Sequence, residues 1–259
     1  FGLDAVTRSI QVQRGLGASK LALPSVGGTI NIITKGFENK KEGNITQEVG
    51  SDGFIRTSFG YSSGVVRNNW AITAAGSFKR SNGWVDQAWS KGFFYYLKVD
   101  KRIGSHTVSL SGYGAPQSHG QRSYRLKIPS YSSEVAREMG IPEELIAKTT
   151  ARGFKYNQHW GYLAQTKENP NAKAEPYNER VNEYHKPQFT LKDSWVITDR
   201  LFISNILYAS IGNGGGVRSK NTISSFDENG QMNFQGIYDQ NISENSIYPT
   251  FDSTLHWSG

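Results

Sequence analysis

The chain has 259 residues, no cysteine and a formal net charge of +7. Disulfides and thiol catalysis are therefore excluded, and a structural zinc site is disfavoured. There is no run of about 18 or more apolar residues, so no membrane-spanning helix is expected. A membrane β-barrel stays open, because strands that alternate lipid-facing and lumen-facing residues dilute the hydropathy signal. Mean hydropathy is indeed low, −0.55. Acidic residues are spread among the basic ones, without a long Lys/Arg block. The charge thus favours solubility, an anionic ligand or anionic headgroups over nucleic acid. The start, FGLDAVTRSIQVQRG, has neither the basic region nor the apolar run of a secretory signal.

Two short strand-like pieces come first, IQVQRGLGAS (10–19) and VGGTINIITK (26–35), joined by a Gly/Ser/Pro-bearing connection. After Lys35 the pattern changes to segments of about ten residues, the length that spans a bilayer at a tilt. They cover 42–51, 54–63, 69–81, 92–103, 106–115, 187–197, 201–211 and 249–257. Most alternate with period two. Ile55, Thr57, Phe59 and Tyr61 share one face; Arg56, Ser58, Gly60 and Ser62 share the other. Trp70, Ile72, Ala74, Gly76 and Phe78 are in phase, as are Phe93, Tyr95, Leu97 and Val99. In 201–211 both phases carry apolar residues.

The connections alternate in length. GVVRNN (64–69), IGSH and ITDR are short. On the other end lie the SDG turn, NGWVDQAWSK, and the long regions 116–186 and 212–248. Outer-membrane barrels sort their loops this way, with short periplasmic turns and long extracellular loops. Two helices are expected inside the first long loop. SSEVAREMG would start at a Ser133 cap and stop at Gly140; IPEELIAKTTARG would have Pro142 in its first turn and end at Gly153.

With these features together, IQVQRGLGAS followed by VGGTINIITK resembles the end of the plug domain of TonB-dependent outer-membrane receptors. Gln13, Arg14, Gly15, Ser19, Gly27, Gly28, Asn31, Ile32, Thr34 and Lys35 carry the likeness. KLALPS stands where the family often has Tyr-Gly. The resemblance implies an all-β fold: a transmembrane antiparallel β-barrel of about 22 strands with a plugged lumen. Residues 1–37 would be the C-terminal part of the plug, and 38–259 the first strands of the barrel, about eight of them. Eight strands are too few to enclose a plug, so the chain is expected to be a segment of a larger receptor in the bacterial outer membrane, its long loops extracellular.

The implied function is active import of a scarce nutrient: glycan, peptide, siderophore, haem or cobalamin. Implied partners are TonB and the inner-membrane energising complex, whose contact would lie outside this segment, lipopolysaccharide, and a surface lipoprotein lid of the kind glycan and peptide importers use. Neither an enzymatic role nor a cofactor is expected. Arg14 and Gly15 are expected to lock the plug structurally; Gly27 and Gly28 allow close backbone approach; Asn31 completes the signature. Candidate ligand-contacting loop residues are Trp84, Trp89, Arg122, Arg125, Tyr156, His159, Trp160 and Tyr162. The aromatics could stack on a sugar, siderophore or peptide, or simply pack loop on loop. Arg122, Arg125 and Lys127 suit an anionic ligand or lipopolysaccharide phosphates equally. His119 and His159 lack metal-site spacing and are read as loop residues, with haem or metal ligation the lesser alternative. Neither RGLGASK nor GNGGGVRSK fits a phosphate-binding loop. The rival readings are a passive porin or β-barrel adhesin, and a secreted soluble β-sandwich or carbohydrate-binding protein.

Overall fold

The computed structural model describes residues 2–14, 27–35, 40–122, 125–164, 169–219 and 225–242. Gly15, Ser19, the KLALPS stretch and the strand expected at 249–257 lie outside the described residues.

A 3-10 turn, Leu3–Ala5, leads into strand β1 (Thr7–Arg14), which pairs antiparallel with β2 (Gly28–Thr34) as a two-stranded ribbon. The register sets Gln11 opposite Asn31, and their side-chain amides bond across the ribbon at 3.1 Å. Gly28 faces Arg14 at the far end.

The large sheet begins with β3 (Glu42–Val49), β4 (Ile55–Val66), β5 (Trp70–Ser81), β6 (Ser90–Ile103) and β7 (His106–Gly114). The β3–β4 turn is the expected SDG. Asp52 and Gly53 have φ of 53° and 67°, as a tight turn matched to strand twist requires. The expected turn at 64–69 is shorter than its sequence suggests. β4 runs on to Val66, because Gly64 (φ 61°) takes up a bulge between Ser62 and Val65, and Arg67–Asn69 alone reverse the chain.

The region 116–186 is not plain loop. It contains β8 (Gln117–Gly120), helices α1 (Ser133–Glu138) and α2 (Glu143–Ala147), and strands β9 (Trp160–Leu163), β10 (Glu175–Asn178) and β11 (Val181–His185). Then come β12 (Gln188–Thr198), β13 (Leu201–Ser210), β14 (Asn213–Val217) and α3 (Phe234–Ile242). The main path of the sheet is β13-β12-β7-β6-β5-β4-β3, a sequential antiparallel meander apart from the long β7–β12 excursion. β8, β11 and β14 prolong β7, β12 and β13 past breaks at Pro116, Pro187 and Gly212, and keep pairing with one another and with β6. Proline cannot donate to a ladder. At two of these breaks its carbonyl still serves, accepting from the Phe93 and Ile211 amides.

The burial of the sheet is inverted relative to a soluble domain. The apolar face is bare: Phe59, Trp70, Phe78, Phe93, Leu97, Leu110 and Phe189 are all exposed. The polar face is the covered one, and Ser58, Ser62, Thr73, Ser77 and Asp100 are buried on it. Val6, fully buried, packs there against Ala75, Phe94 and Tyr96, with Leu3, Ala5, Tyr113 and Ala115 around them. Burying a side chain of this size contributes about 1.5–3 kcal/mol. Polar ties surround this small core. Asp4 pairs with Arg56 at 2.7 Å, and Arg56 also pairs with Glu48. The Tyr96 hydroxyl donates to Thr34 Oγ1, and Lys98 Nζ donates to the Lys35 carbonyl. No helix among the described residues is long and apolar enough to cross a membrane, which leaves crossing by strands untouched.

Candidate functional site

Four connections meet at one end of the meander: the SDG turn, 82–89, 115–187 and the chain after β14. They begin to interlock at once, since the Asn82 amide donates to the Asp52 carbonyl at 2.8 Å. Further out a buried polar clasp ties the other three together. The Asn157 side chain, wholly buried, donates to the carbonyls of Asp86 and Gln121. Asn178 donates to the Gln87 carbonyl and accepts from Trp89 Nε1. His159 is 1% exposed; its Nδ1 lies 2.8 Å from Glu179 Oε2. The Glu179 carboxylate also pairs with Arg180 Nε and accepts the Ser219 amide. Two backbone bonds, Asp86 N to Lys155 O and Gln121 N to Arg180 O, run beside these side chains. Buried polar groups so fully engaged rigidify loops, because breaking one bond strands its partner out of water.

A second layer sits on the β9–β10 hairpin. Phe234 is fully buried and meets Tyr177 edge-on at 5.2 Å. The Met232 amide donates to the Trp160 carbonyl. The Tyr156 hydroxyl donates to the Gly230 carbonyl, and burial pushes its pKa up. The helix pair adds a tip. Ser132 caps α1 through the Val135 amide, and the Arg137 guanidinium forks onto Glu143 with two bonds of 2.8 and 2.9 Å. The cap is thus Ser132, not the expected Ser133. α2 stops at Ala147 rather than at Gly153, which has φ of 89° in the following turn.

The candidate residues separate into two groups. Tyr156 and His159 are buried inside the clasp, Trp89 is part of it, and Arg122 is tied down by the carbonyls of Phe154 and Tyr156 and lies over the Tyr131 ring. Trp160 is half-buried and meets Tyr162 edge-on at 5.3 Å. Trp84, Arg125 and Tyr162 are exposed. Phe154, half exposed and stacked on Tyr131, and Phe226 join the exposed aromatics without having been singled out in the sequence. At the opposite end of the chain's ligand-facing interest, Arg14 is exposed at the tip of the ribbon, and Gly27 and Gly28 sit beside it. Among the described residues no three His, Cys, Asp or Glu side chains are grouped to hold a metal. The chemistry the site can perform is recognition: aromatic faces and cations displayed on a rigid base.

A meander with a bare apolar face, a ribbon rooted on its polar face by Leu3–Val6, Thr34 and Lys35, and elaborate connections at one end has the fold of the TonB-dependent outer-membrane receptors. Two solved receptors carry the comparison. The ferric-catecholate import receptor Fiu of E. coli K12 superposes with a TM-score of 0.56 at 15% identity, over 79% of this chain and 28% of that one. The pyoverdine receptor FpvA of Pseudomonas aeruginosa PAO1 gives 0.53 at 12% identity, over 88% of this chain and 39% of that one. The chain therefore spans well under half the length of either receptor. No protein-family model matches the sequence, and no curated protein matches it.

Proposed function

We propose that this chain is the plug end and first wall segment of an outer-membrane importer that takes up a scarce nutrient with energy from TonB. In this reading residues 1–37 close the plug, 38–259 form the first barrel strands, and the long connections face outside. Arg14 and Gly15 belong to the plug's structural signature, and TonB and its inner-membrane complex act on chain outside these residues. The observation that carries the reading is the root of the ribbon, the Leu3–Val6 turn with Thr34 and Lys35, anchored on the polar face. A passive pore needs that face wetted, and a soluble sandwich would bury the other one. Trp84, Phe154, Tyr162 and Phe226 form the outer contact surface, with Arg125 as its exposed cation. The clasp residues hold that surface in place rather than touching the ligand.

The test is uptake by cells of the native host with and without the gene. A panel of radiolabelled ferric catecholate, ferric pyoverdine, haem, cobalamin and an oligosaccharide is offered, each with and without a protonophore. Active import predicts that uptake of one compound depends on both the gene and the proton gradient. Gene-dependent uptake that ignores the protonophore would favour the passive porin instead.

A further inference from the structure

Among the described strands β3 to β7, β12 and β13, the bare face carries a single acidic side chain, Asp193. It is in phase with Phe189, Leu191 and Trp195 on β12, all exposed. The register gives it a row. Trp70, Lys101, Val108, Asp193 and Asn205 stand side by side across five strands. One step toward the long connections, about 7 Å along the strands, the row becomes Val99, Leu110, Leu191 and Leu207. One step the other way, Trp195 faces His106 and stacks on its ring at 5.1 Å. Asp193 thus stands at the edge of an apolar band, at the level where tryptophans begin. A charge on the lipid face of a barrel is costly at mid-bilayer and far less so at the interface. His106 Nδ1 lies 3.1 Å from Asp193 Oδ1. Asp193 Oδ2 makes no hydrogen bond or ion pair with the described residues. Lys101, two strands and so about 10 Å away, donates instead to the Asn68 carbonyl.

We propose that Asp193 binds the primary ammonium of a phospholipid headgroup in the leaflet at the short-turn end of the wall, with an acyl chain lying over Leu110, Leu191 and Leu207. A primary ammonium carries three N–H donors, and one of them meets Asp193 Oδ2 in a charge-assisted bond. Asn205, opposite Asp193 in the β12–β13 ladder, is placed to donate its amide to the headgroup phosphate. A headgroup with a phosphate and no ammonium would set like charge against the carboxylate. This rests on the reading that the bare face meets lipid.

The experiment places the full receptor in nanodiscs of equal parts phosphatidylethanolamine and phosphatidylglycerol and scores the lipids it retains by native mass spectrometry. Wild type should retain the ethanolamine lipid about tenfold over the glycerol lipid, the effect of roughly one charge-assisted hydrogen bond. Asp193→Asn should abolish the preference. Its thermal unfolding should be unchanged or later, since a carboxylate leaves the lipid face, so a folding defect would show separately. His106→Gln keeps the carboxylate and should keep the preference; loss there would assign the headgroup to His106 and overturn the assignment to Asp193. No preference in wild type, or the same preference in wild type and D193N, would overturn the site. Phosphatidylcholine, whose trimethylated ammonium has no N–H donor, should be retained less than the ethanolamine lipid; equal retention means that the carboxylate does not read a primary ammonium, and the proposal falls. The two leaflets of a nanodisc hold the same lipids, so these results leave the proposed orientation untouched. Failure of the receptor to enter nanodiscs at all would count instead against the lipid-facing reading of the wall.

Discussion

At Gly28 the backbone has φ of +121°, and a Cβ there would lie 2.4 Å from the carbonyl oxygen of Gln13. Both constraints act at the point where β2 starts beside the end of β1. A Gly28→Ala substitution must shift the backbone of a two-stranded ribbon that has little else to hold its tip. The expected cost is about 1–3 kcal/mol, localised to the ribbon. Limited proteolysis checks it: cleavage within 7–34 should quicken while the large sheet resists as before. Gly27, with open space around it, serves as the contrast, and Gly27→Ala should leave the digestion pattern unchanged. Tyr156 gives a second prediction at this scale. Burial raises its pKa, so its protonated form stabilises the fold below the ordinary tyrosine value of about 10, and that contribution is lost as pH rises through the higher folded value. The difference in tyrosinate absorbance between wild type and Tyr156→Phe should show a titration later than that of free tyrosine. The variant should also loosen the Gly230 turn by about 0.5–1.5 kcal/mol, the usual net value of one hydrogen bond.

Among the elements, the helix tip buries Ala136 and Ile146 and adds local ties of its own. Ser132 caps α1, and Arg137 bridges to Glu143 at the start of α2. Ser132→Ala should reduce the hydrogen-exchange protection of α1 by the equivalent of about 1 kcal/mol. The hydrogen bonds from Arg137 lower the Glu143 pKa. Its contribution is therefore present above the ordinary carboxylate range and is lost as pH falls through the lower folded value. Because both groups are exposed, the loss should be small and should vanish in Glu143→Gln. The two helices are legible in sequence because they depend on neighbours a few residues away, although the cap falls one residue early and α2 ends at Ala147. The seven meander strands are legible for the same reason: a period of two is local, and so is the SDG turn. The clasp is not. Asn157, Asn178 and Glu179 are ordinary polar residues until the fold brings 86–89, 121 and 219 against them. The aromatic and amide-rich composition around Tyr156–His159 does mark the region, but composition cannot separate a side chain that faces a ligand from one that faces Gly230 or Glu179. Strands β8, β11 and β14 escaped notice because each is only four or five residues long and is set off from its parent strand by Pro116, Pro187 or Gly212. Those residues signal interruption; only the pairing shows that the ladder resumes.

For the molecule as a whole, the two faces of the sheet and its two ends pose separate questions. The faces are assigned by burial, since Val6 and its neighbours cover the polar side and nothing described covers the apolar side. β13 is exposed along all ten residues and has described partners on one edge only. The ends are distinguished by the connections, but length alone does not say which end meets the medium. The absence of cysteine makes a direct test available. A single cysteine at Leu145, an exposed residue on α2, and another at Gly104, in the short turn between β6 and β7, report opposite ends. In intact cells a membrane-impermeant maleimide should label L145C and spare G104C; after the outer membrane is permeabilised both should label. Gly104 has φ of 58°, so G104C carries some strain, and Ser105→Cys in the same turn provides a second reporter without that cost. Labelling of both turn cysteines in intact cells, with L145C spared, would turn the connections toward the periplasm. It would remove the aromatic surface of Trp84, Phe154 and Tyr162 from any role in capture. The anchoring of the ribbon's root on the polar face would survive that result, because it depends on which face of the sheet is covered and not on which end is up.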